Sequence, residues 1–184
     1  AYLRGISQPH DDLALERIIN TPKRGLGKVT LEQLHIAART RNCSLYSALE
    51  QLLASGDLKG KTAVTLTKLL EQFARWRELS KQTPSAIAKD DVAFENNVKP
   101  VSLSELADLM LEESGYRAMW QADSSPEAAG RLDNLRELVR ALNDFPTLTE
   151  FLEHVGLVME WGEEDRGVLA PADIVRAYQS SWQR

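Results

Sequence analysis

The sequence predicts an all-α fold, and three features carry the prediction. Apolar residues recur at three- and four-residue intervals along almost the whole chain, the spacing that lines one face of a helix. No run of strict alternation is flanked by hairpin turns, so nothing reads as a strand. Ser or Thr followed three residues later by Glu or Gln stands ahead of several stripes, and such a pair satisfies the free amides of a first helical turn reciprocally.

Taken in order, Leu13, Ile18 and Ile19 open the series, Leu31, Leu34 and Ala38 follow, and Leu45, Leu49, Leu52 and Leu53 form a third stripe. These positions are expected to form the core. Val64, Leu69, Leu70, Phe73, Trp76 and Leu79 predict a longer helix that ends before Pro84, whose ring disfavours a helical residue ahead of it. Capping boxes at Thr30 with Gln33, Ser102 with Glu105 and Thr147 with Glu150 predict three helix starts. A fourth is marked by Ser125, with Pro126 at the first helical position. The stripes behind them are Leu103, Leu106, Leu109 and Met110; then Leu132, Leu135, Leu138, Val139 and Leu142; then Leu148, Phe151, Leu152 and Val155. Residues 85–101, with mixed charge, Asn96, Asn97 and Pro100, lack such a stripe and read as a flexible insert.

At 184 residues, 43% hydrophobic and 27% charged, the chain has the composition of a globular unit with a sizeable core, which excludes disorder throughout. No apolar run approaches the roughly 20 residues that span a bilayer, and no charged segment with an apolar stretch behind it opens the chain. The expectation is a cytoplasmic protein without a membrane partner. The single cysteine, Cys43, has no second thiol for a disulfide or a thiolate metal site and reads as structural. A net charge of −5 argues against nucleic acid, yet its distribution argues for it. Between Glu16 and Arg41 stand six cations (Arg17, Lys23, Arg24, Lys28, Arg39, Arg41) and two acids (Glu16, Glu32), which points to one basic face on an acidic body.

The most informative stretch is Thr21 to Gln33, TPKRGLGKVTLEQ, read as helix, tight turn, helix. Gly25 and Gly27 can adopt backbone angles closed to other residues and let a phosphate approach the main chain. Amides at the turn and in the following helix's first turn form an anion site at the positive end of the helix dipole, with Lys23, Arg24 and Lys28 adding charge. Such contacts grip a phosphate strand without reading bases. The bland alternative is a sharp interhelical turn with solvated cations, for a lone GxG is weak evidence. A nucleotide P-loop does not fit: Val29 follows Lys28 where Ser or Thr is needed, and Pro22 occupies the glycine position.

Two other readings stand beside this one. Pro9-His10-Asp11-Asp12 could open a metal phosphohydrolase site, but further ligands are needed and His35 and His154 lie within amphipathic stripes. Asp11 or Asp12 capping the first helix, with His10 exposed, is the simpler expectation. A helical protein-interaction module, presenting an acidic surface and an apolar groove, is the other.

HDDLALERIINTPKRGLGKVTLEQL, residues 10–34, resembles the start of the 2B subdomain of UvrD, PcrA and Rep helicases. ESGYRAMWQ (113–121), SPEAAGRLDNLRELVRAL (125–142) and FLEHVGLVM (151–159) resemble the same subdomain in the same order, so the likeness covers residues 1–159 apart from the insert. Residues 160–184 depart from the family, lacking the TLHxxKGLE signature expected there, as a re-entry segment or an engineered junction would. The resemblance implies an accessory subdomain, helix-hairpin-helix-like at its glycine turn, that contacts duplex DNA near a single-strand/double-strand junction in the bacterial nucleoid. Gly25, Leu26 and Gly27 match the family's DNA-contacting motif. It further implies that this segment is no enzyme alone, that ATP and Mg belong to the full-length helicase, and that its partners are the parent's RecA-like domains and protein regulators.

Overall fold

The computed structural model describes residues 1–82 and 101–164, with side chains through Gly156. It is helical, with no strand among the described residues. The predicted insert, except Val101, and everything after Glu164 lie outside the described residues. The chain divides into two compact units, one of Ala1–Glu78 with Glu113–Tyr116, the other of Leu79–Glu112 and Arg117–Arg184.

The first unit holds α1 (Tyr2–Ser7), α2 (Asp12–Ile19), α3 (Lys28–Arg41), α4 (Leu45–Ala54) and most of α5 (Gly60–Lys81). Asp11 caps α2 by accepting the Ala14 N–H at 3.0 Å. The next carboxylate, Asp12, reaches the start of α4, where it accepts the Leu45 N–H at 2.8 Å. Helix α3 ends on Asn42 in the left-handed region, a conformation that asparagine tolerates better than most residues. The core gathers Ile18, Ile19, Leu49, Leu66, Leu69, Phe73 and Trp76. Tyr2 stacks on Phe73 and meets Trp76 and Tyr116 edge-on, with ring centroids 6.1–6.3 Å apart. Gly5 lets α1 come close to α5, since a Cβ there would sit 3.2 Å from the Phe73 ring.

In the second unit, α6 (Leu103–Glu113) begins on the predicted capping box: Ser102 Oγ accepts the Glu105 N–H at 3.2 Å, and Glu105 accepts the Ser102 N–H at 2.8 Å. Helices α7 (Tyr116–Ala122), α8 (Pro126–Ala141) and α9 (Leu148–Glu164) follow. Ser125 and Thr147 stand ahead of α8 and α9 as expected, and Thr147 Oγ1 accepts the Glu150 N–H at 3.2 Å. Leu103, Leu106, Met110, Leu142, Leu148 and Phe151 form this unit's core.

Several expectations need correction. Helix α3 starts at Lys28 rather than after Thr30: the Gly27 carbonyl accepts the Thr30 and Leu31 N–H groups, so Thr30 lies inside the first turn. Leu13 and Val64 are about two-thirds exposed, lying on the outer edges of their stripes. On α8 only Ala128 is buried, and Leu132, Leu135, Leu138 and Val139 are half-buried.

Candidate nucleic-acid interface

Helices α2 and α3 are joined by residues 20–27, a longer connection than the tight turn the two glycines suggested. It is braced from inside. The Asn20 side chain donates to the Leu26 carbonyl (3.1 Å) and accepts the Arg24 N–H (2.9 Å), spanning the segment. The Thr21–Pro22 peptide is cis. Leu26 is buried and anchors the loop to the core, while its neighbours Gly25 and Gly27 are exposed.

The two glycines differ. Gly25 has φ +75°, a left-handed conformation that strains any residue bearing a Cβ. Gly27 is the N-cap of α3 with φ −78° and ψ 164°, ordinary extended backbone, and a Cβ added there would meet nothing within 4 Å. The fold therefore does not require glycine at 27. No side chain caps α3, and the Lys28 and Val29 N–H groups find no acceptor among the described residues. Lys23 and Lys28 are exposed on either side, and Thr30 is half-exposed in the first turn.

Arg24 departs from the expectation that it would lend charge to a phosphate. Its guanidinium turns inward, donating through Nη1 to the carbonyls of Ile18 (2.6 Å), Pro22 (3.3 Å) and Ile19 (3.4 Å). Through Nη2 it donates to the Tyr2 hydroxyl (2.6 Å) and the Ser114 carbonyl (3.2 Å). The Tyr2 hydroxyl in turn donates to the Thr21 carbonyl at 2.5 Å. Burial pushes the Tyr2 pKa up, opposed by the Arg24 hydrogen bond. The cations of the basic stretch are not gathered at the glycine end of α3 either. Arg39 and Arg41 lie at the opposite end of α3, roughly 17–20 Å from its start at 1.5 Å per residue, and Arg41 donates to Gln51 at 3.1 Å.

The residues of the metal reading are spent separately. His10 Nδ1 lies 2.9 Å from Ser44 Oγ, Asp11 pairs with Arg4 at 2.5 Å, and His35 pairs with Glu16 at 3.1 Å. Among the described residues no three His, Cys, Asp or Glu side chains converge, and no helix is long and apolar enough to cross a membrane. The residues that sequence reasoning missed are Tyr2, Asn20 and Ser114, whose roles depend on neighbours up to 90 positions away.

The geometry is that of an all-helical module whose exposed glycine loop leads into an uncapped helix. The chain belongs to the UvrD-like helicase C-terminal domain family, which matches residues 1–164. Among its relatives it is 35% identical over 161 residues to a probable DNA helicase II homolog of Rickettsia felis, covering 87% of this chain and 22% of that protein. It is 30% identical over 174 residues to DNA helicase II of Escherichia coli K12, covering 90% of this chain and 22% of that protein. To the ATP-dependent DNA helicase PcrA of Bacillus subtilis it is 30% identical over 172 residues, covering 90% and 21%. The chain thus spans about a fifth of the length of these relatives.

Proposed function

We propose that this chain is the 2B accessory subdomain of an ATP-dependent DNA helicase and that it holds duplex DNA near a single-strand/double-strand junction by the phosphate backbone. The observation that carries the reading is Gly27: a glycine the fold does not need, at a helix start whose amides are left uncapped between two exposed lysines. An anion seated there would receive the Lys28 and Val29 N–H groups at the positive end of the α3 dipole. Lys23 and Lys28 would supply charge, and Thr30 a hydroxyl. None of these groups reads a base edge, so binding is sequence-independent.

In this reading Arg24 shapes the loop and Leu26 anchors it, leaving Gly25, Gly27 and the two lysines to face DNA. ATP and Mg belong to RecA-like domains of the parent helicase, because neither glycine-lysine pair of this chain fits the P-loop pattern: Gly27-Lys28 departs at Pro22 and Val29, and Gly60-Lys61-Thr62 has Ser55 where the leading glycine is needed. Those domains, and protein regulators, are the other partners, and the chain by itself is not an enzyme.

The test is a fluorescence anisotropy titration of a short duplex and a matching single strand, at low and moderate salt. With few phosphates neutralised, the expected Kd is on the order of micromolar to 100 micromolar at physiological salt. Duplex-preferring, salt-sensitive binding that Gly27→Glu abolishes with helical content unchanged supports the reading. Absence of binding at low salt overturns it in favour of a protein-contacting role.

A further inference from the structure

We propose that Arg24 is the positioning residue of the α2–α3 loop, a clamp that holds the Gly25–Lys28 backbone in its DNA-accepting shape without touching DNA. This rests on the reading of that loop given above.

The clamp follows from where the five bonds go. At the end of α2, where no helix continues, Arg24 donates to the Ile19 carbonyl and adds a second kind of donor to the Ile18 carbonyl, which also accepts the Thr21 N–H. Its charge is favourable at that negative helix end. Pro22 lies in the loop itself, so the same guanidinium closes the loop on its own start. The Tyr2 hydroxyl and Ser114 carbonyl fix the other edge of the plane, and Tyr2 is held by its stacking on Phe73. To reach a phosphate, Arg24 would have to surrender all five bonds and withdraw the donor it supplies to the Ile19 and Pro22 carbonyls. The planar fork of Nη1 and Nη2 is what the site uses, and a lysine ammonium cannot reproduce it.

That last point separates positioning from contact. At a phosphate contact lysine replaces arginine tolerably, whereas at this clamp it fails. Duplex titrations over a range of salt concentrations with Arg24→Lys, Arg24→Gln and Tyr2→Phe are decisive when joined to backbone amide exchange. We expect both Arg24 variants to lose roughly tenfold in affinity as the competent loop becomes a minority, with the unmodified salt slope. Tyr2→Phe keeps the ring packing and removes one clamp ligand. It should bind roughly twofold to fivefold more weakly, with faster exchange of the Thr21 and Arg24 amides, which Ile18 and Asn20 accept, and unaltered exchange at Leu49 and Leu69.

Unmodified affinity in Arg24→Lys, with a slope lowered by about 0.9 in Arg24→Gln, makes Arg24 a phosphate contact and overturns the inference. So does a Tyr2→Phe chain with unchanged binding and exchange. Absence of duplex binding by the unmodified chain overturns the proposed function itself, and this inference with it.

Discussion

Asn20 bridges the loop to Leu26: one side-chain amide donates to the Leu26 carbonyl at 3.1 Å and accepts the Arg24 N–H at 2.9 Å. Two backbone groups six and four residues downstream are thus tied to the last position of the α2 region. Asn20→Asp removes the donor and sets a carboxylate against the Leu26 carbonyl. The expected loss is about 1–3 kcal/mol, read as a lower thermal midpoint, with weaker duplex binding.

Gly25 and Gly27 should respond differently to the same substitution. Gly25→Ser forces a Cβ into φ +75° and is expected to cost about 1–2 kcal/mol. Gly27→Ser introduces a side chain into open space at an N-cap, where serine is worth a few tenths of a kcal/mol more than glycine. Its thermal midpoint should hold or rise while its duplex affinity falls, because the hydroxyl occupies the amides a phosphate would take. Denaturant melts and anisotropy titrations on the same preparations check both halves.

Lys23→Ala and Lys28→Ala are each expected to lower the salt dependence of duplex binding by about 0.9 in the log–log slope per phosphate released. The double substitution should lower it by about twice that. Circular dichroism should not change, since both side chains are exposed.

Glu113 holds the Trp76 indole N–H at 2.8 Å and Arg75 at 2.5 Å, and Trp76 is fully buried. Glu113→Leu strands that N–H, an expected cost of about 1–3 kcal/mol. Adding Trp76→Phe, which removes the orphaned donor, should not add its own full cost to that of Glu113→Leu. A double-mutant cycle on unfolding free energy checks the coupling.

The Asp11 carboxyl is held below its ordinary pKa, first by the Ala14 N–H it accepts and also by Arg4. A depressed folded-state pKa contributes stability that is present above the unfolded value of 3.8 and is lost as pH falls through the folded one. Asp11→Ala should therefore cost about 0.5–2 kcal/mol at neutral pH and flatten the acid limb of the stability profile below about pH 4.

How legible these features were depended on how local they are. Ser102 with Glu105, and Ser125 with Pro126, mark helix starts through partners within three residues, so the sequence displays them. The Thr30 box misled because Gly25 and the buried Leu26 turn the chain into α3 before Thr30 is reached. Leu13 and Val64 are apolar but sit at stripe edges, and periodicity alone does not say where the buried arc stops. The glycine loop was visible as a motif. The inward turn of Arg24 was not, since Tyr2 and Ser114 lie 22 and 90 positions away. Helix α1, only six residues long, left too short a period to detect.

The unit carrying the glycine loop is discontinuous: Ala1–Glu78 is completed by Glu113–Tyr116. That return segment brings the Ser114 carbonyl to Arg24, the Glu113 carboxylate to Trp76 and the Tyr116 ring to Tyr2. During synthesis the first five helices can be made long before these partners exist. Until then the Arg24 fork lacks its most distant acceptor, and the Trp76 indole N–H has no carboxylate to receive it. Closing so long a stretch of chain carries an entropic cost that local helix formation does not repay. Only the last of the loop's braces, the Ser114 carbonyl, arrives with Glu113–Tyr116, after α2 and α3 have left the ribosome.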